Sequence, residues 1–513
     1  MLAMSSWPAP GRLSLVVALA LLSAGSHAES RSDGSATSAS GASSPLEIVS
    51  ARERARLLLL EGRAGEAATL YSSLLTLDPG DATSMEGRVR SLLASGRWKD
   101  ALAEARRFEG ANPASLDVKT ALGEALYRAG LIEEAGALME PIGVVAAAPA
   151  RALVTLGLVR AAQGRDEEAA ELMDRALAAD PTDRDVFLSA AGAATTRAKS
   201  VLLLERYLER SAGDDPDRIE GARGTLRLYR ALGERPLWVD LTRPERLELP
   251  LRPLAGAGGH SMGFVVLAAL GEGKPVPLLL DTGSTGLFIL ERVARTRGFE
   301  PLAEETVFGG GGEGRHPANR GLFATLSLGG LRFKDALAST TPQELDPTGR
   351  YHGVIGLEVF RGYRIVLDLA RNRLLLEPPS EGGQGLPYWT VSGQLLVEAR
   401  TSPESTGLFL LDTGATRSLV SLSQAQATPG TRLGERAAVR GYGGAIGDAR
   451  VLRGIELQCQ GLRMADAPVN TADLTLRSRL GGVEIAGFLG LDFLEGKRVI
   501  VDTRFHRIAL AKP

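Results

Sequence analysis

The sequence predicts two architectures in one chain: an N-terminal α-helical repeat solenoid and a C-terminal all-β region of two related lobes. Three observations carry this reading. Glycines recur every 34 residues through a first half rich in Ala, Leu, Arg and Glu. Near Leu241 that pattern gives way to frequent glycine and short apolar runs separated by turns. The second half is then written twice, with the triplet Asp-Thr-Gly at Asp281 and again at Asp412. At 513 residues the chain exceeds one ordinary core, so a multidomain α plus β organisation is expected.

Residues 1–28 read as an export signal. Arg12 precedes the apolar run LSLVVALALLSAG, and Ser26-His27-Ala28 places small residues where a signal peptidase cuts. The run is short for a bilayer, so the mature protein is expected to lack a membrane span and to be periplasmic or secreted; an uncleaved anchor is the alternative. Residues 29–46, rich in Ser, Ala and Gly, read as a disordered tether. The single cysteine, Cys459, offers no internal disulfide, so the fold must rest on its core. Lys+Arg number 59 against 61 Asp+Glu, a formal charge of -2. That balance gives no electrostatic footprint for nucleic acid.

Residues 47–238 form the helical half. Gly62, Gly96, Gly130 and Gly164 are each followed five residues later by an alanine: Ala67, Ala101, Ala135 and Ala169. A proline comes twelve residues after three of these, at Pro79, Pro113 and Pro181, with Ala147 the exception. Glycine ends one helix, the small alanine lets the next approach, and proline stops the second. Units of this kind stack into a solenoid with a concave face. Residues 197–216 and 226–238 read as degenerate or capping helices. The spacing resembles tetratricopeptide repeats, which implies a surface for a protein partner.

The β half divides into lobes at 241–382 and 383–513. VFGGGG from Val307 aligns with VRGYGG from Val439, and GLRF from Gly330 with GLRM from Gly461. GVIGLEVFRGYRIVLDLARNRLLL from Gly353 aligns without a gap with GFLGLDFLEGKRVIVDTRFHRIAL from Gly487. Each triplet follows an apolar strand, a costly place for a lone carboxylate. A second apolar run, a glycine-rich hairpin and an apolar-apolar-Gly segment come after it. This ordered pattern resembles the pepsin/retropepsin aspartic proteases over roughly half the chain, with each lobe the size of one retroviral subunit.

The resemblance implies a mechanism. Asp281 and Asp412 would meet on a pseudo-twofold axis and share one proton, because like charges that close cannot both ionise; protease dyads of this kind are the standard illustration of the effect. The ionised member would take a proton from the attacking water, and the protonated member would donate to the substrate. Thr282 and Thr413 would lock the loops together, while Gly283 and Gly414 would permit close backbone approach. A hydroxyl on Ser284, where the second lobe has Ala415, is expected to make Asp281 the ionised member. Gly309, Gly310, Gly311 and Gly312 of one hairpin, and Gly441, Tyr442, Gly443 and Gly444 of the other, would close over a peptide or protein substrate. Because both aspartates lie in one chain, 241–513 is expected to be self-sufficient.

Other patterns weigh less. Gly309, Gly311 and Gly314 match G-x-G-x-x-G, but no helix follows to receive a dinucleotide. Five histidines without ligand spacing imply no metal, and the aspartic mechanism needs no cofactor. The duplicated Asp368 and Asp502 fit structural turns paired with Arg373 and Arg507. The rival reading is a non-catalytic scaffold that clamps a peptide; a weaker one makes the repeats an inhibitory cap.

Overall fold

The computed structural model describes residues 45–256, 261–308, 315–346, 348–379, 382–441, 444–446, 448–465 and 467–512. Its first half is an antiparallel helical array running from Pro45–Leu60 to Pro216–Leu232. The periodic glycines occupy the inter-helix turns at φ between +72° and +80°, a region closed to most side chains. Ala67, Ala101, Ala135 and Ala169 are fully buried where paired helices touch. Where Ala147 replaces the proline, Pro141 sits inside the helix Ile132–Gly143 instead. The array curls until its ends meet: Arg184 Nη1 donates to Leu60 O (2.9 Å) and Ala212 O (3.0 Å). The last helix starts at Pro216 rather than at 226. Proline fits the first helical position, and the Asp215 side chain accepts from the Asp217 N–H as its cap. No described helix is long and apolar enough to cross a membrane.

The β half, from Val239 onward, repeats one motif. Strand Gly353–Ile355 lies between Val276–Leu280, parallel to it, and Leu287–Leu290, antiparallel. Strand Gly487–Leu489 lies likewise between Ser405–Leu411 and Leu419–Ser421. A six-stranded sheet joins the lobes, with Arg364–Asp368 antiparallel to Arg498–Asp502 and Val366 opposite Ile500. Its symmetric register makes the pseudo-twofold. Asp368 is fully buried and faces Arg371, Arg373 and Arg498 at 3.1–3.8 Å. Asp502 accepts the N–H groups of Arg504 and Phe505 in the matching turn. This second acid pair therefore serves the interlobe sheet.

The two halves share their cores. Leu126, Tyr127, Val159 and Ala162 of the array form one buried cluster with Trp389, Val391, Leu396, Leu408, Leu410 and Val483. Leu322 and Leu337 of the first lobe join the core of the later helices. Polar contacts seal the seam: the Glu484 N–H donates to Arg128 O (2.7 Å) and Arg128 Nη1 to Gly482 O (2.9 Å). This seam bears on the expectation that 241–513 stands alone, because side chains of the second lobe are buried in one cluster with helices of the array.

Candidate active site

Each apolar strand delivers its aspartate into a tight turn at the lobe boundary. The Asp281 N–H donates to Ile355 O and the Asp412 N–H to Leu489 O, both at 3.0 Å, so each loop is anchored to the strand behind it. The loops then lock reciprocally. The Thr282 N–H donates to Thr413 Oγ1 (3.1 Å) and the Thr413 N–H to Thr282 Oγ1 (3.0 Å). Thr282 Oγ1 in turn donates to Leu411 O (2.6 Å), and Thr413 Oγ1 to Leu280 O (2.8 Å). Both threonines are buried, so these four bonds form out of water and each hydroxyl both donates and accepts.

The glycines leave room for the opposite carboxyl. A Cβ on Gly283 would stand 2.7 Å from Asp412 Cγ, and one on Gly414 would stand 2.6 Å from Asp281 Cγ. Gly283→Ala or Gly414→Ala is therefore expected to push the carboxyls apart and cost at least about 100-fold in kcat/KM, since misplacement by an ångström is worth that much. Steady-state kinetics beside a thermal melt checks this; an alanine variant with wild-type kcat/KM would show that the loops tolerate separation.

Burial raises the pKa of Asp281 well above the ordinary aspartate value, and the neighbouring Asp412 charge adds to it. Burial also raises Asp412, but a hydrogen bond from Asp281 and the backbone N–H groups of Ala415 and Gly414 oppose it. Among the described residues Asp412 Oδ1 accepts from Gly414 (2.9 Å) and Ala415 (3.0 Å), whereas Asp281 Oδ1 accepts from the Gly283 N–H (2.8 Å). These donors favour the charged form of Asp412 over that of Asp281. This leans against the expectation drawn from Ser284: among the described residues its hydroxyl makes no bond to the dyad, and the additional donor is the Ala415 backbone N–H.

Several supports were not singled out in the sequence. Gln394 Nε2 donates to Gly283 O (3.1 Å). Buried Ser418 donates through its hydroxyl to Asp492 Oδ1 (2.6 Å) and accepts from the Gly490 N–H (3.0 Å). Arg477, on the helix Thr475–Gly481, lies within electrostatic reach of both aspartates; burial depresses its pKa, and Asp412 and Asp281 oppose that. Gly441 and Gly444 pair across a two-stranded hairpin. Gly309, Gly310, Gly311, Gly312, Tyr442 and Gly443 lie outside the described residues.

Residues 266–359, which include Asp281, match the aspartyl protease family. Residues 87–140 and 144–184 match the tetratricopeptide repeat family. No curated protein matches the chain. Among solved structures, a thermophilic tetratricopeptide repeat protein of Thermus thermophilus is 22% identical, covering 34% of this chain and 97% of its own at a TM-score of 0.29. PilF of Pseudomonas aeruginosa is 17% identical, covering 36% and 88% at a TM-score of 0.25. A tetratricopeptide repeat protein of Parabacteroides merdae is 18% identical, covering 36% and 73% at a TM-score of 0.26. The chain thus joins a helical stretch similar to tetratricopeptide repeats to a stretch similar to aspartyl proteases.

Proposed function

We propose that this chain is an aspartic endopeptidase. The observation that carries the reading is the reciprocal threonine lock, itself buried, which holds two half-buried carboxyls against each other where the lobes meet. In this reading Asp412, ionised, takes a proton from a water that attacks the peptide carbonyl carbon. Asp281 gives its proton to the developing oxyanion; Asp412 then passes the water-derived proton to the leaving nitrogen as the C–N bond breaks, and Asp281 takes a proton back from the collapsing hydroxyl, which restores the starting pair. The glycine-rich segments 309–314 and 441–444 are the expected lids over the substrate.

The apolar run after Arg12 and the Ser26-His27-Ala28 site support export to the periplasm or beyond. Tetratricopeptide repeats are protein-interaction modules, and here one interaction is internal: the repeat turns hold the second lobe. The test is a mixed peptide library incubated with the full chain from acidic to neutral pH, read by mass spectrometry. Internal cleavage supports the proposal; intact peptides at every pH would leave a peptide-binding scaffold.

A further inference from the structure

The two lobes differ in the link that leads into the apolar-apolar-Gly strand. Among the described residues of 342–352 in the first lobe there is no helix, whereas the second lobe has the helix Thr475–Gly481. Two arginines stand on that helix at i and i+2, positions that face opposite ways. Arg479 turns to the helical half, 3.7 Å from Asp215 and against the Gly96 turn. Arg477 turns the other way, toward the dyad.

The surroundings of Arg477 are unusual for a cation. Its Nε is sealed from solvent and has no hydrogen-bond partner. Among the described residues it forms no ion pair within 4.0 Å, although both dyad carboxyls feel its charge. Arg477 is half-buried overall, and a donor shut off from water without a partner costs free energy. The dyad offers little relief, because the two carboxyls share a proton and carry a single negative charge between them. On the first-lobe side, Tyr351 lies within reach of Asp281 and donates its hydroxyl to Leu345 O (3.0 Å), and the neighbouring Arg350 is neutralised by Asp346 (3.0 Å). Arg477 has no such partner among the described residues.

We infer that Arg477 is a specificity-determining residue that receives a substrate carboxylate flanking the scissile bond on the second-lobe side. A planar guanidinium suits a carboxylate in two-point contact, and pairing in a desolvated cleft strengthens it. The carboxylate comes from an internal Asp or Glu side chain or from the C-terminus of a short peptide. The helical half supports the arrangement from behind: Arg128, through Gly482 and Glu484, and Arg479, through Asp215, brace the helix that carries Arg477. The inference rests on the endopeptidase reading for its setting, but its test separates the two.

The experiment uses the full chain and peptides that differ only in Glu or Gln at each position beside the cleaved bond, with free or amidated C-termini. Wild type is expected to prefer the Glu peptide by roughly tenfold or more in kcat/KM, the ordinary worth of a charge-assisted pair. Arg477→Met should bring the Glu/Gln ratio close to one, and Arg477→Lys should restore part of it. A merely structural role would lower both rates and leave the ratio alone. The same peptides are titrated onto the Asp281→Asn chain by fluorescence anisotropy. Glu-selective binding that Arg477→Met abolishes, without cleavage by wild type, would refute the endopeptidase reading and uphold this one. A preference lost on amidation assigns the carboxylate to the chain terminus and still upholds it. Equal handling of all four peptides by wild type would overturn it.

Discussion

Replacing Asp281 or Asp412 with asparagine should lower kcat/KM by about 10³-fold or more, because an amide can neither take the water's proton nor supply one to the substrate. The two variants should fall by similar amounts and the double variant little further, since the pair acts as a unit. Folding should not suffer. The threonine lock does not involve the carboxyl groups, and the backbone N–H donors of Gly283, Gly414 and Ala415 still meet an amide oxygen.

Linkage gives the direction of the stability change. The folded pKa of both aspartates is raised above the ordinary value of 3.8 by burial. The folded state thus holds protons more tightly than the unfolded one. Stability from this source is complete below the unfolded pKa and declines as pH rises from there toward the folded pKa. At neutral pH the wild-type dyad is a net cost, so the asparagine variants should melt at the same or a higher temperature. A large drop in Tm with loss of activity would instead mark the aspartates as structural.

Removing the helical array should do the opposite, costing stability first. Cutting at 241 strips the cover from Trp389, Val391, Leu396, Leu408, Leu410 and Val483, each buried against helices. Exposing such side chains costs roughly 1.5–3 kcal/mol apiece, against a typical domain stability of about 5–15 kcal/mol. Residues 241–513 alone should therefore be insoluble or lack a cooperative melt, whereas the full chain melts as one unit. Circular dichroism and size exclusion decide it: a soluble, cooperatively melting fragment would mean that the seam is dispensable. The same result would reopen the readings of the array as a detachable recruiter or cap.

Much of this was legible in the sequence, for local reasons. The repeat turns need positive φ and close helix contact, so glycine and alanine mark them at fixed spacing. The catalytic loops need an acid, a hydroxyl and a missing side chain in order, so Asp281–Gly283 and Asp412–Gly414 stand out twice. The seam was harder to see, although its trace is there. Leu408, Phe409, Leu410 and Leu411 are consecutive and all buried, as in a strand covered on both faces, where alternation would have meant one open face. The Ala415 backbone N–H that donates to Asp412 was not legible, because no residue identity advertises a main-chain donor. Arg477 was invisible because its meaning depends on which face of a short inserted helix meets the cleft.

The most direct test of the account is a proton count. A potentiometric difference titration between wild type and the Asp281→Asn/Asp412→Asn double variant isolates the dyad, because no other carboxyl changes. If the half-buried pair shares one proton, wild type should release one more proton than the double variant between about pH 3 and pH 7, since only one member then ionises. Release of two extra protons over that range would show that Asp281 and Asp412 titrate as independent acids, and the shared-proton dyad would be wrong.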